Sequence, residues 1–348
     1  MEKILIGMSG GVDSSVAAAL LKEKGFFVTG ATLELCGKSN DTSDAKEVCT
    51  NLGIEHKTFD LSELFSNTVI KNFTDEYISG RTPNPCIVCN KKIKFGKLSE
   101  LAQSLGFEKI ATGHYVRTEV SGERILLKKA ADTNKDQSYM LYSLSQEQLS
   151  RAVFPLGDMT KAQIREYAES KGFKCALKPD SQDICFVPDG NYSDVIKQKT
   201  GLSFKKGNFT DISGNVLGEH SGIINYTVGQ RKGLGIALGK PAFVIEKNPF
   251  ENTVILGDED LLFKKYVHIS NINYIPFDNL SGDIRLKAKL RYRQTEQNAI
   301  LHPLSQNTAV LEFEEPQRAP SPGQSAVFYD GDTVIGGGII ERGENKNG

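Results

Sequence analysis

Apolar positions recur along this chain with two different periods, and the change from one to the other marks its organisation. KILIGM (3–8) is a short continuous apolar run, the pattern of a strand buried on both faces. DSSVAAALLKEKG (13–25) predicts a helix: Asp or Ser caps it, Ala and Leu fill it, and Gly25 ends it. FFVTGATLEL (26–35) is strand-like, DAKEVCTNLG (44–53) helical, and IEHKTFDL (54–61) strand-like again. A helix over roughly 61–78 follows, then a helix over KFGKLSELAQSLG (94–106), and EKIATGHYV (108–116) ends a strand at Gly-His. Strands alternating with helices of this length predict an α/β fold with a parallel sheet, whose ligands lie at the carboxyl ends of the strands.

From 136 to about 200 the pattern is mostly helical, and TKAQIREYAESKG (160–172) opens with a capping-box signature, Thr160 to Gln163. After about 205 the texture becomes glycine clusters and short apolar runs, and the last 75 residues or so alternate as an all-β segment. The expected division is a nucleotide-binding catalytic domain over 1–205, a small central domain over 206–272 and a C-terminal β-barrel over 273–348. There is no internal repeat, and no low-complexity segment beyond the charged tail.

A length of 348 residues suits two or three domains, and 39% apolar with 24% charged residues is a globular composition. No apolar run is long enough to span a bilayer, and MEKILIGMSGG lacks the features of a signal peptide, so a cytoplasmic protein without a membrane partner is expected. The six cysteines (36, 49, 86, 89, 175, 185) then read as reduced thiols rather than a disulfide scaffold. The net charge of −1 advertises no nucleic acid, so such a partner has to be sought in local patches.

GMSGGVDSSV (7–16) lies between a predicted strand and a predicted helix. Gly10 and Gly11 allow close approach to a ligand, the first helical N–H groups face an anion, and Ser9, Ser14 and Ser15 add hydroxyls. Two glycines alone would equally suit a tight turn. The loop has neither the lysine of a Walker A sequence nor the G-x-G-x-x-G spacing. Asp13 would repel a bare phosphate but suits a magnesium ion bridging two phosphates. The S-G-G-x-D-S stretch resembles the pyrophosphate loop of the N-type ATP pyrophosphatases, which split ATP to AMP and pyrophosphate. That resemblance implies an ATP site formed by Gly7, Met8, Ser9, Gly10, Gly11, Val12, Asp13, Ser14 and Ser15, with Leu33 and Gly113 touching the nucleotide.

PNPCIVCN (83–90) holds a C-x-x-C pair in a proline-punctuated loop, and Cys185 stands in SQDICFVP (181–188). Taken alone, Cys185 between apolar residues reads as a small buried hydrophobe. A structural zinc needs four ligands, and no second C-x-x-C or C-x-x-H follows. The motifs GMSGGVDSS, GRTPNPCIVCNKKIKF, ATGHYVR, KDQSYMLYSL, SQDICF, YTVGQRKGLGI, LRYRQ and SPGQSAVFYDGDTVIGGGII occur in that order. Over its whole length the chain resembles the tRNA-specific 2-thiouridylases of bacteria and organelles. The resemblance implies transfer of sulfur to C2 of the wobble uridine of tRNA after ATP adenylates the C2 oxygen. It implies Cys89 as nucleophile and Cys185 as the carrier of a persulfide or the partner of Cys89 in a disulfide. It also implies a cysteine desulfurase or relay protein as sulfur donor. The lysines that follow Cys89 are expected to lower its pKa.

Cys86 departs from the family, which commonly has Asp there. Cys86, Cys89 and Cys185 would supply three thiolates with one open position, the ligand set of a 4Fe-4S cluster able to bind sulfide. Two sulfur routes are therefore open, a persulfide on Cys185 or sulfide on a cluster.

For RNA, DIRLKAKLRYRQ (283–294) alternates Arg285, Lys287, Lys289, Arg291 and Arg293 with apolar residues, so one strand would carry five cations on one face. The lysines of KKIKFGK (Lys91, Lys92, Lys94, Lys97) suit a solvated helix face equally well in part, but their position beside the cysteine loop points to the anticodon backbone. The resemblance assigns Asn84, Pro85, Cys86, Lys135, Asp136, Gln137, Arg291, Tyr292 and Gln324 to tRNA, and His114 is expected near the RNA. Two other classes remain to be weighed. A small-molecule ATP pyrophosphatase would leave the cysteines and basic strand unexplained. A non-catalytic RNA- or metal-binding protein has no use for the phosphate loop.

Overall fold

A computed structural model describes residues 1–36, 42–177, 184–187 and 190–343. The charged tail therefore lies outside the described residues, and SQDICFVP is described only at 184–187.

Five strands form a parallel sheet: β1 (Lys3–Gly7), β2 (Phe27–Glu34), β3 (Glu55–Asp60), β4 (Lys109–Ala111) and, after a hairpin of β5 (Val116–Ser121) and β6 (Arg124–Lys129), β7 (Ala152–Val153). Their order is β3-β2-β1-β4-β7. β1 lies at the centre because Ile4, Leu5 and Ile6 have no polar face to turn outward, and all three are fully buried. The chain leaves β1 toward β2 on one side and returns to β4 on the other. The carboxyl ends of β1 and β4 thus flank the switch point where open α/β sheets bind ligands.

The helix Val12–Glu23 packs on this sheet through Val16, Ala17, Ala18, Ala19 and Leu21, and its small residues permit close approach. The capping box expected at Thr160 and Gln163 is formed in both directions and opens the helix Lys161–Ser170.

The central segment forms a four-stranded sheet in the order β10-β11-β8-β9, from β8 (Gly207–Thr210), β9 (Val216–His220), β10 (Phe243–Asn248) and β11 (Thr253–Gly257). It is sealed by Phe73 and Tyr77 of the helix Lys71–Ile78, which share its apolar cluster.

The last six strands are β12 (Phe263–Tyr274), β13 (Ile284–Lys289), β14 (Gln297–Pro303), β15 (Thr308–Arg318), β16 (Ser325–Asp330) and β17 (Thr333–Ile340). They run in the order β12-β15-β14-β13-β16-β17, and β12 also pairs with β17, so the barrel closes and leaves no edge within it. The β5–β6 hairpin joins this barrel rather than the parallel sheet, through the pair Thr333 and Lys128. The sequence reading does not anticipate that connection.

The expectation of five cations along one strand is corrected. β13 ends at Lys289, and the chain then turns, with the Leu290 amide donating to Gln294 Oε1 (2.9 Å) and the Gln294 amide to the Arg291 carbonyl (3.1 Å). Arg285 and Lys287 are exposed, but Lys289 leans over the Tyr329 ring (5.3 Å) toward Glu296. Without Gly or Pro at the turn, alternation alone carries no sign of where the strand stops.

Candidate active site

At the end of β1 the backbone is pinned to its neighbour: the Met8 amide donates to the Ala31 carbonyl (2.8 Å), and the Thr32 hydroxyl to the Met8 carbonyl (2.9 Å). Gly10 then takes φ +76°, and a Cβ there would stand 2.9 Å from the Cβ of Asp44. Gly11 begins the helix Val12–Glu23 with no side-chain cap, which leaves the first-turn N–H groups to an incoming anion. Ser9 and Ser14 hydroxyls lie 3.3 Å apart across the loop. Ser15 donates inward to the Gly11 carbonyl (2.9 Å), and Met8 and Val12 turn their side chains into the core. Met8, Val12 and Ser15 therefore contribute backbone rather than side chains to the cradle.

Gly113 closes the cradle from the β4 side. A Cβ on it would meet the carbonyl carbon of Asp13 and the amide nitrogen of Ser14, both at 2.8 Å. Gly7 ends β1, and Leu33 lies half-buried in β2. This arrangement of bare backbone, helix terminus and hydroxyls fits a polyphosphate.

Asp13 is already paired within the fold. Its Oδ1 accepts from Lys161 Nζ (2.6 Å) and from the Tyr115 hydroxyl. The Lys161 ammonium neutralises the carboxylate and removes the repulsion that Asp13 would exert on phosphate. No reaction step is assigned to a metal there. Lys161 and Tyr115 escape the sequence reading because each is distant in sequence from the loop it serves.

The second half of the site is the helix Pro85–Cys89, with proline in its first turn and Asn84 Oδ1 accepting from the Cys86 amide (3.2 Å). The chain continues through a wide π-helical turn, Asn90–Lys97. Asn90 Nδ2 donates to the Met140 carbonyl (3.1 Å), and Gln324 Nε2 donates to the Thr82 carbonyl (2.7 Å), so the barrel holds the entry to the cysteine loop. Gly323 lies against the same segment, and its Cβ would stand 2.9 Å from the Thr82 amide.

Cys86 is exposed, whereas Cys89 is sunk among Leu61, Phe65, Val69, Ile70 and Ile93. Burial pushes the Cys89 thiol up to about 11, against the pull of the Lys94 charge. The expected lowering at Cys89 is thus corrected: the lysines are there, but the apolar pocket outweighs them. The charges of Cys86 and Cys185 also act on Cys89, so the three predicted cysteines come to one neighbourhood. A fourth joins them. Cys36, beyond the end of β2, lies close enough to Cys185 for the two thiols to act on each other. The Cys185 thiol holds the Cys36 thiol down to about 7, against burial and with help from the Lys199 charge, and is itself raised. No sequence signal marks Cys36, a single cysteine in a loop.

All six cysteines are free thiols in this structure. Among the described residues no three His, Cys, Asp or Glu side chains are grouped to hold a metal ion. No step is routed through a cluster.

These values fix an order of reactivity. Only about one part in a thousand of Cys89 is thiolate at pH 8. Iodoacetamide at pH 7.5 should therefore label Cys36 well before Cys89. Raising the pH from 8 to 10 should speed Cys89 by about a hundredfold while Cys36 has levelled off. Time-resolved peptide mass spectrometry checks this, and faster labelling of Cys89 at pH 7.5 would contradict it.

Several residues expected at RNA have other duties. His114 is buried, hydrogen-bonds to the Thr112 hydroxyl (2.8 Å) and packs against Phe95 (5.7 Å). Its burial, with Lys94 nearby, holds it well below the usual histidine range, so it is a neutral wall of the site. Asp136 is buried and caps its own turn, accepting from the Ala130 and Ser138 amides (3.0 and 3.2 Å) and the Ser138 hydroxyl (2.7 Å). Pro85 is also buried. Gln137 Oε1 accepts from the Tyr115 amide (2.9 Å). Lys135 is half-buried nearby. Arg291 is exposed, with Nη2 donating to the Ala319 carbonyl (2.8 Å), and Tyr292 stands half-buried close enough to Cys86 and Asp136 for both to act on its phenol.

The amino-acid sequence matches three family models in succession: a tRNA methyl transferase HUP domain over 2–189, a tRNA methyl transferase PRC-barrel domain over 193–258, and an aminomethyltransferase beta-barrel domain over 264–340. It is 49% identical to a tRNA-specific 2-thiouridylase MnmA 1 of Caldanaerobacter subterraneus subsp. tengcongensis, with 98% of each chain covered. It is 46% identical to the corresponding MnmA of Acetivibrio thermocellus, covering 98% of this chain and 99% of that one. With the MnmA of Treponema denticola it shares 48% identity, over 97% of this chain and 98% of the relative. With relatives this similar along nearly its whole length, the chain belongs to the tRNA-specific 2-thiouridylase family.

Proposed function

We propose that this protein is a tRNA-uridine 2-sulfurtransferase that uses ATP to replace the C2 oxygen of the wobble uridine by sulfur. The observation that carries the reading is the placement of a buried Cys89, near Cys86 and Cys185, in the same α/β unit as a polyphosphate cradle. Identity of 46–49% to tRNA-specific 2-thiouridylases along nearly the whole chain supports it.

The chemistry needs both halves. The C2 oxygen of uracil is a poor leaving group, and transfer of AMP to it from ATP, with release of pyrophosphate, makes it a good one. Gly10, Gly11, Ser9, Ser14 and the first helical amides hold the pyrophosphate portion, and magnesium enters with the nucleotide. A persulfide on Cys185 then attacks C2 through its outer sulfur and expels AMP. Cys89, once deprotonated, attacks the inner sulfur of Cys185. The bond between the two persulfide sulfurs breaks, its electron pair stays on the 2-thiouridine, and Cys89 and Cys185 are left as a disulfide. Lys94 stabilises the thiolate that burial opposes.

Asn84, Lys135, Gln137, Arg291, Tyr292 and Gln324 line the approach for RNA, and the exposed Arg285 and Lys287 track its backbone. Residues 1–205 perform the chemistry, 206–272 brace them, and 273–348 bind tRNA. A cysteine desulfurase or a relay protein supplies the sulfur, and the cytoplasm supplies the tRNA. Among the described residues no helix is long and apolar enough to cross a membrane. A pyrophosphatase for a small molecule would leave Cys86, Cys89 and the barrel without use.

Pyrophosphate release from ATP separates these readings. It should depend on tRNA bearing an unmodified wobble uridine; release at the same rate without RNA would favour the small-molecule reading.

A further inference from the structure

Cys36 has no part in the reaction scheme above, yet the fold delivers it to the same place. Leu35, Cys89 and Phe186 belong to one apolar cluster around Phe65 and Val69. Phe186 meets the Phe65 ring edge-on at 5.7 Å and the Phe73 ring at 5.2 Å. This packing draws together the end of β2, the cysteine helix and residues 184–187, and with them Cys36, Cys89 and Cys185.

The three thiols differ in access. Cys36 and Cys185 are exposed, whereas Cys89 is only 7% exposed. A disulfide between Cys89 and Cys185, the end point of the proposed sulfur transfer, would have one sulfur beyond the reach of a reductant in solution. Cys36 lies beside the other, close enough for the two to act on each other.

We propose that Cys36 is a resolving thiol that moves the disulfide outward after each turnover. This inference rests on the thiolation reading. The Cys36 thiolate attacks the Cys185 sulfur and forms the Cys36–Cys185 bond. The Cys185–Cys89 bond breaks, and its electron pair leaves on Cys89, which takes up a proton. This exchange involves no net oxidation. An external dithiol of the thioredoxin class then reduces the exposed Cys36–Cys185 disulfide, supplying two electrons and two protons and becoming a disulfide itself. The Lys199 charge favours the Cys36 thiolate, and burial keeps the released Cys89 protonated, which suppresses the reverse attack.

Two measurements on the full chain test it. Diamide oxidation of the RNA-free protein, followed by peptide mapping without reduction, should give Cys36–Cys185 as the main linked pair. A Cys89–Cys185 pair, or no bridge at Cys36, would overturn the proposal. This result does not depend on any tRNA chemistry. In the second measurement, protein carrying persulfide is mixed with tRNA and ATP and quenched by alkylation after one turnover. The unaltered chain should yield Cys36–Cys185. Cys36→Ser should yield Cys89–Cys185, with the same first turnover but later turnovers slowed on the order of tenfold when thioredoxin is the reductant. Equal multiple-turnover rates for the two proteins would overturn the proposal. If neither protein thiolates tRNA, the thiolation reading fails, while the diamide map still decides the thiol pairing.

Discussion

Replacing Cys89 by Ser is expected to abolish 2-thiouridine formation, a loss of about 10⁴-fold or more, and to leave tRNA affinity within about twofold. Serine is nearly isosteric and fits the pocket of Leu61, Phe65, Val69, Ile70 and Ile93, so the cysteine helix keeps its place. Its hydroxyl, however, does not attack a disulfide-type sulfur at neutral pH, and the persulfide–uridine adduct would remain on Cys185. Mass spectrometry of the trapped protein–RNA species and a binding titration read the two effects separately. A Ser variant that lost tRNA binding as well would make Cys89 a structural residue.

Gly113→Ala should have the second largest effect. The added Cβ would stand 2.8 Å from two backbone atoms of the phosphate loop, the Asp13 carbonyl carbon and the Ser14 nitrogen. Backbone in a packed helix start does not swing aside as a flexible side chain does, so the cradle must shift by several tenths of an ångström. Pyrophosphate release should fall about 10²-fold, with about 1–3 kcal/mol of lost stability. Gly282→Ala is the control, because nothing lies within 4 Å of its added Cβ. A Gly113→Ala protein that released pyrophosphate at the unaltered rate would show that the loop is not held from this side.

What the amino-acid order reveals is what local chemistry dictates. The strand-loop-helix around Gly10 and Gly11 is contiguous, and so is the proline-started cysteine helix, so both are legible without a structure. The Lys161–Asp13 pair, the Cys36–Cys185 contact and the β5–β6 strands on the barrel each join segments far apart in sequence, and no local pattern marks them. The error about Cys89 has a different source. The neighbouring lysines are visible in the sequence, but the apolar pocket that outweighs them is assembled from Leu61, Phe65 and Val69 on another helical segment. His114 and Asp136 illustrate the same limit, since polar residues beside a site look available until their hydrogen bonds are seen to be internal.

The most direct test of the account is nucleoside mass spectrometry of unmodified tRNA after incubation with the protein, ATP, magnesium and a persulfide-loaded cysteine desulfurase. The account predicts 2-thiouridine at the wobble position, formed only when ATP is present and in step with pyrophosphate. Pyrophosphate released without any thiolated nucleoside, or a thiolated nucleoside that forms without ATP, would contradict it.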